Sequence, residues 1–148
     1  MESTGGRDDR VGVRLKISAL WITMLFLFAY GDIFGFFAPG HLEEITRGEI
    51  SGVEITQTFL FAVSVYVAIA SLMVFLTLVL RPAVGRWLNL VLAILYVVSI
   101  VASAVGEDPY FLFLSALEIA VLLAIAWYAW AWSPQRGNDQ ERVAGTSC

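Results

Sequence analysis

The chain has 148 residues, of which 59% are hydrophobic and 15% charged, with a formal net charge of −4. A soluble domain uses about 45–50% apolar residues, and a chain this short has no core large enough to bury the excess, so a water-soluble globule is excluded. No basic run points to nucleic acid, and Cys148, the sole cysteine, permits neither an internal disulfide nor the paired thiols of a membrane oxidoreductase.

In chain order, residues 1–15 are rich in Gly and charge and read as a disordered cytoplasmic tail. Residues 16–133 form the transmembrane domain. It holds four apolar stretches at about 17–37, 56–80, 87–105 and 110–132. Each has the roughly 20 residues a helix needs to cross a hydrocarbon core about 30 Å thick. Spanning strands would have to alternate and close into a barrel, and these runs do not alternate. The first run exceeds the h-region of a signal peptide, and no small-x-small cleavage site precedes Pro39, so it is expected to remain.

Pro39-Gly40 ends the first helix, and His41–Arg47 can form one surface turn that Gly48 stops. The second helix carries no ionisable residue before Arg81-Pro82, and Pro82 fits either the turn or the opening of the third helix. Gly106-Glu107-Asp108-Pro109 is short enough to make the third and fourth helices antiparallel neighbours. Ser133-Pro134 closes the domain, and residues 134–148 read as a flexible cytoplasmic tail. The fold class is therefore all-α, a four-transmembrane-helix antiparallel bundle.

Charge sets the expected orientation. With the N-terminus inside, the cytoplasmic segments hold Arg7, Arg10, Arg14, Lys16, Arg81, Arg86, Arg136 and Arg142, and only Arg47 lies outside. The outer loops carry Glu43, Glu44, Glu49, Glu54, Glu107 and Asp108. Since Lys and Arg in short flanking loops decide topology, both termini are expected in the cytoplasm. Trp21, Trp87, Trp127, Trp130 and Trp132 fall near the cytoplasmic ends of their helices and read as interface anchors.

Two acids lie within the spans. Placing Asp at the bilayer centre costs about 2.5–3.5 kcal/mol, so Asp32 and Glu118 are the residues that need a reason. Helical rise puts them about 8 and 12 Å below the outer boundary. Ser64, Ser99, Ser103 and Ser115 share that level, and the cytoplasmic half is drier, with Asn89 and Thr77 its main polar residues. The sharper expectation is an outward-facing polar cavity. The plainer one is an interhelical hydrogen-bond lock, worth about 0.6 kcal/mol per bond in membranes. Gly31 and Gly35 form a G-x-x-x-G around Asp32, and Ala116, Ala120 and Ala124 make a second small-residue stripe; both read as helix-packing surfaces.

No cofactor or metal is expected. His41, the single histidine, has too few companion ligands for zinc or haem, and no nucleophile–base set or phosphate loop is present. The chain is thus read as non-enzymatic.

Ser18-Ala19-Leu20-Trp21, Tyr30-Gly31-Asp32-Ile33-Phe34-Gly35, Leu80-Arg81-Pro82, Arg86-Trp87-Leu88-Asn89, Leu117-Glu118-Ile119 and Trp127-Tyr128-Ala129-Trp130 together resemble a family of small bacterial four-helix membrane proteins catalogued as a domain of unknown function. The likeness runs from about Lys16 to Trp132. It implies four spans in a bacterial inner membrane, and it implies no activity, substrate or cofactor.

The leading expectation is an accessory or structural membrane subunit. Its partners are the lipid bilayer and either a second copy or another membrane protein. The alternative is a small proton-linked transporter or ligand-binding membrane protein using Asp32 and Glu118.

Overall fold

A computed structural model describes residues 5–50 and 52–132, with side chains from Gly12 onward. Seven elements follow in chain order: α1 (Gly5–Phe37), α2 (His41–Thr46), β1 (Glu49–Ile50), β2 (Val53–Glu54), α3 (Gln57–Val79), α4 (Pro82–Ser103) and α5 (Pro109–Ala131). Within the first of these, Gly12–Phe37 is long and apolar enough to cross a membrane, as are α3, α4 and α5 in full.

The helix ends have local causes. The Thr56 side chain accepts the Phe59 backbone N–H at 3.1 Å and so caps α3. Pro82 and Pro109 occupy the first turns of α4 and α5, where a missing N–H has no intrahelical partner to lose. The third predicted span therefore begins five residues earlier than its apolar run suggests. Gly48 and Gly106 stand at φ +83° and +88°, left-handed positions that end α2 and the α4 exit at little steric cost. Between α2 and α3 the chain makes a small antiparallel hairpin, with Glu49 opposite Glu54 and Ile50 opposite Val53.

α1 starts at Gly5, so most of the segment read as a disordered tail, residues 1–15, is continuous with the first apolar helix. The Gly5–Gly6 pair does not break it, because helix formation propagates from the strongly helical segment behind it. The tail at 134–148 lies outside the described residues.

The four long helices pack unevenly. α1 lies against α3 and α5 along much of its length, and α4 lies against α5. α3 and α4, although joined by only Leu80 and Arg81, approach each other closely at few backbone positions. The buried residues follow helical seams. α4 buries Gly85, Asn89, Ala93, Tyr96 and Ile100, and α5 buries Ser115, Glu118, Leu122, Ile125 and Ala129. Both series step by three or four residues, the spacing of one helix face.

The share of each candidate span buried inside the protein is only 11–28%. Large apolar side chains such as Phe61, Phe75, Val98 and Leu123 point outward. Water would oppose that surface at about 25 cal/mol per Å². Lipid does not, and these are the features of a multi-pass membrane protein.

Candidate functional site

The helix set has two polar regions with opposite characters. For convenience, the α3–α4 end is the one that holds Arg14, Leu80 and Trp132, and the α4–α5 end holds Gly35, Gly106 and Tyr110.

Toward the α3–α4 end every buried polar group is matched. Asn89, fully buried on α4, accepts the Trp21 indole N–H at 2.7 Å and the Thr77 hydroxyl at 3.1 Å through its Oδ1. Its amide donates to the Gly85 carbonyl at 2.8 Å. One side chain thereby ties α1, α3 and α4. Ser18 of α1 donates to the Val74 carbonyl of α3 at 2.8 Å, and the Arg14 guanidinium donates to the Leu78 carbonyl at 3.0 Å. Gly85 leaves room for the buried Trp132 ring, which a Cβ there would meet at 3.8 Å. At the rim, Arg14, Lys16 and Arg86 stand over the rings of Trp132, Tyr128 and Trp130 at 5.2, 5.7 and 5.8 Å.

This geometry separates the five tryptophans. Trp87, Trp127 and Trp130 are 62–72% exposed, as a headgroup anchor requires. Trp21 and Trp132 are buried, at 0% and 6% exposure, and are corrected here to packing residues. For Trp21 the reason is chemical: a buried indole N–H needs an acceptor, and Asn89 supplies it.

The middle of the protein is aromatic. Phe28, Tyr66 and Tyr96 form a stack bridging α1, α3 and α4, with Tyr66 and Tyr96 at 4.3 Å and Trp21 edge-on to Tyr96 at 5.6 Å. The Tyr96 hydroxyl donates to the Tyr66 carbonyl, and the Tyr66 hydroxyl shares a 2.6 Å hydrogen bond with Ser99. These long side chains hold α3 to α4 across the wider backbone gap.

Toward the α4–α5 end lie the residues singled out as a polar site, and the structure divides them. Ser64 and Ser103 are exposed and return their hydroxyls to Leu60 and Ile100 of their own helices. Ser99 belongs to the tyrosine cluster, donating also to the Tyr96 carbonyl at 2.9 Å. Asp32 is exposed on the outside of α1. Ser115 and Glu118 lie on the buried face of α5, at 3% and 7% exposure; their oxygens make no hydrogen bond to another described residue and are not fully enclosed. Glu118 lies within electrostatic reach of Asp32 and of the Tyr66 hydroxyl.

The G-x-x-x-G faces α5. A Cβ at Gly31 would stand 3.7 Å from Leu114 Cδ1, and one at Gly35 would stand 3.9 Å from the Tyr110 hydroxyl. Ala116 and Ala120 are exposed and Ala124 half-buried, so that stripe does not serve the packing within this chain. Between α1 and α5 an open groove of about 400 Å³ is lined by Phe34, Phe37, Asp108, Tyr110, Phe113 and Leu114. Neither Asp32 nor Glu118 lines it.

Sequence reasoning missed Trp21, Thr77 and Asn89 as a connected set, and Tyr66 with Tyr96. Asn89 carried a usable signal, since it sits on the same helix face as Gly85, Ala93 and Tyr96.

The model of the family of unknown function DUF6326 matches residues 9–138. No curated protein and no solved structure matches the chain. The family match takes in all four long helices, both polar regions and the loops between them: the chain belongs to the family of unknown function DUF6326.

Proposed function

We propose that this protein is a non-enzymatic accessory or structural subunit of a bacterial inner membrane, an antiparallel four-helix bundle with both ends in the cytoplasm. The observation that carries the proposal is the matched polar core around Asn89, which joins three helices and leaves their outer faces apolar. Such a core fixes register without offering a reacting group. Support for the orientation comes from eight Lys and Arg against one across the predicted loops. Contacts of Arg14 with Leu78 and of Gly85 with Trp132 favour the antiparallel arrangement, since each brings the start of one long helix to the end of another. The exposed Ala116 and Ala120 offer a partner helix, from a second copy or another membrane protein, a close approach.

The experiment is extraction of the full chain from its native membrane in mild detergent. A stoichiometric partner or second copy is expected, and Ala120→Phe should release it while folded yield stays the same. A lone chain from both proteins, at equal yield, sinks the reading.

One observation favours a second reading, a small proton-linked transporter or ligand-binding membrane protein using Asp32 and Glu118. Glu118 lies on the buried face of α5 within electrostatic reach of Asp32, and an acid within a span is more often functional than structural.

A further inference from the structure

Unmatched positive charge collects at the α3–α4 end. Four cations lie there: Arg14 and Lys16 on α1, Arg81 between α3 and α4, and Arg86 in the first turns of α4. No Asp or Glu among the described side chains shares that end. Asp32 and Glu118 lie within the spans, and the others lie between α1 and α3 or between α4 and α5.

Three of the cations are held by rings rather than by carboxylates. Arg14 stands over Trp132, Lys16 over Tyr128 and Arg86 over Trp130. Such a contact positions a cation without neutralising it, so its charge stays free to attract an anion. The Arg81 side chain is exposed and makes no hydrogen bond or ring contact with another described residue.

A groove begins at the same level. Ala83, Val84, Trp87, Leu88 and Val91 line an open concavity of about 510 Å³, and all five come from α4. Their spacing of three or four residues makes one stripe, which runs about 12 Å down the helix. The Trp87 indole N–H is the one hydrogen-bonding group among these side chains, and Trp87 is exposed. Arg81 stands one turn before Val84, and Arg86 directly precedes Trp87. Positive charge therefore heads an apolar stripe.

That pairing selects the occupant. An apolar partner helix would cover the stripe and leave the arginines unmatched, whereas a soluble anion would match the arginines and leave the stripe bare. A phospholipid satisfies both, and a headgroup with net negative charge does so without a cation of its own to repel them.

We propose that the opening of α4 is a binding site for one anionic phospholipid, its phosphate held by Arg81 and Arg86 and one acyl chain lying along the stripe from Ala83 to Val91. Trp87 offers its indole N–H to the ester region. Arg14 and Lys16 add attraction from α1. The site depends on neither functional reading above, nor on which compartment this end faces.

The test is native mass spectrometry of the full-length protein in neutral detergent, incubated with equal amounts of phosphatidylglycerol and phosphatidylcholine of the same chains. One phosphatidylglycerol per chain is expected, retained in preference to phosphatidylcholine. Arg81→Gln should need about fivefold more lipid for half occupancy, and Arg81→Gln with Arg86→Gln about 25-fold more. Arg47→Gln, at the opposite end, should change nothing. Val91→Trp fills the groove without touching charge and should reduce occupancy, with Val84→Trp as a second plug should the first fail to fold.

Equal retention of the two lipids overturns the proposal. So does a preference that survives the double arginine substitution, or binding that survives both groove-filling variants. Displacement of the lipid by inorganic phosphate, where sodium chloride of equal ionic strength has no effect, would assign a free-anion site instead. A dimer that Val91→Trp dissociates would give the groove to a second copy, and would overturn the proposal as well.

Discussion

Asn89 shows how much a single side chain decides when lipid is the solvent. In water an exposed amide would be indifferent, but here it satisfies the donors of Trp21 and Thr77 and its own amide as well. Measured interhelical bonds in membranes average about 0.6 kcal/mol, with the strongest near 1.7. Removing Asn89 orphans two buried donors at once, so Asn89→Leu is expected to destabilise by about 1–2 kcal/mol. Thr77→Val removes donor and hydroxyl together at the longer bond, and the loss should stay below about 0.6 kcal/mol. Denaturant titration of the micelle-bound protein, read by far-UV circular dichroism, measures both. Equal losses would mean that the Trp21–Asn89 bond contributes nothing. In the sequence, Asp32 and Glu118 stood out because charge is conspicuous. Asn89 did not, since an uncharged amide draws its importance from the groups facing it. The same limit applies to Trp21: an indole near a helix end reads as an anchor until its partner is known.

At the scale of elements, the apolar runs located all four long helices, because helix length against membrane thickness is a one-dimensional property. Their beginnings were less legible. α4 opens at Pro82, five residues before its apolar run, since proline's fixed φ suits a first turn whatever the hydropathy. The uneven packing was hidden as well. A two-residue connection implies neighbours, yet α3 and α4 meet mainly through Tyr66 and Tyr96, which no spacing rule foretells. The α1–α5 seam is the counterpart, narrow because Gly31 and Gly35 face α5. The 3.7 Å left for a Cβ at Gly31 is ordinary contact. Gly31→Ala should therefore be tolerated, gaining up to about 1 kcal/mol from helix propensity. Gly31→Leu overfills the same space and should be destabilising by about 1–3 kcal/mol. The pair, compared by denaturant titration in one micelle system, tests whether the seam is as tight as it looks; equal stability of both variants would mean that α1 and α5 are free to separate.

For the molecule as a whole, orientation ties the two polar regions to opposite compartments. The matched core and the cation–aromatic rim of Arg14, Lys16 and Arg86 lie at one end, and Asp108 with the unbonded Glu118 lies toward the other. If Lys and Arg decide topology, the rim faces the cytoplasm and the acids open outward. The single cysteine makes this directly measurable. In intact cells an impermeant maleimide should leave Cys148 unreacted until the membrane is opened. Glu43→Cys in a Cys148→Ser background places the thiol on the exposed face of α2, and should react at once. The reverse pattern would turn the molecule over: the rim would then face outward, and Asp32, Asp108 and Glu118 would lie toward the cytoplasmic side.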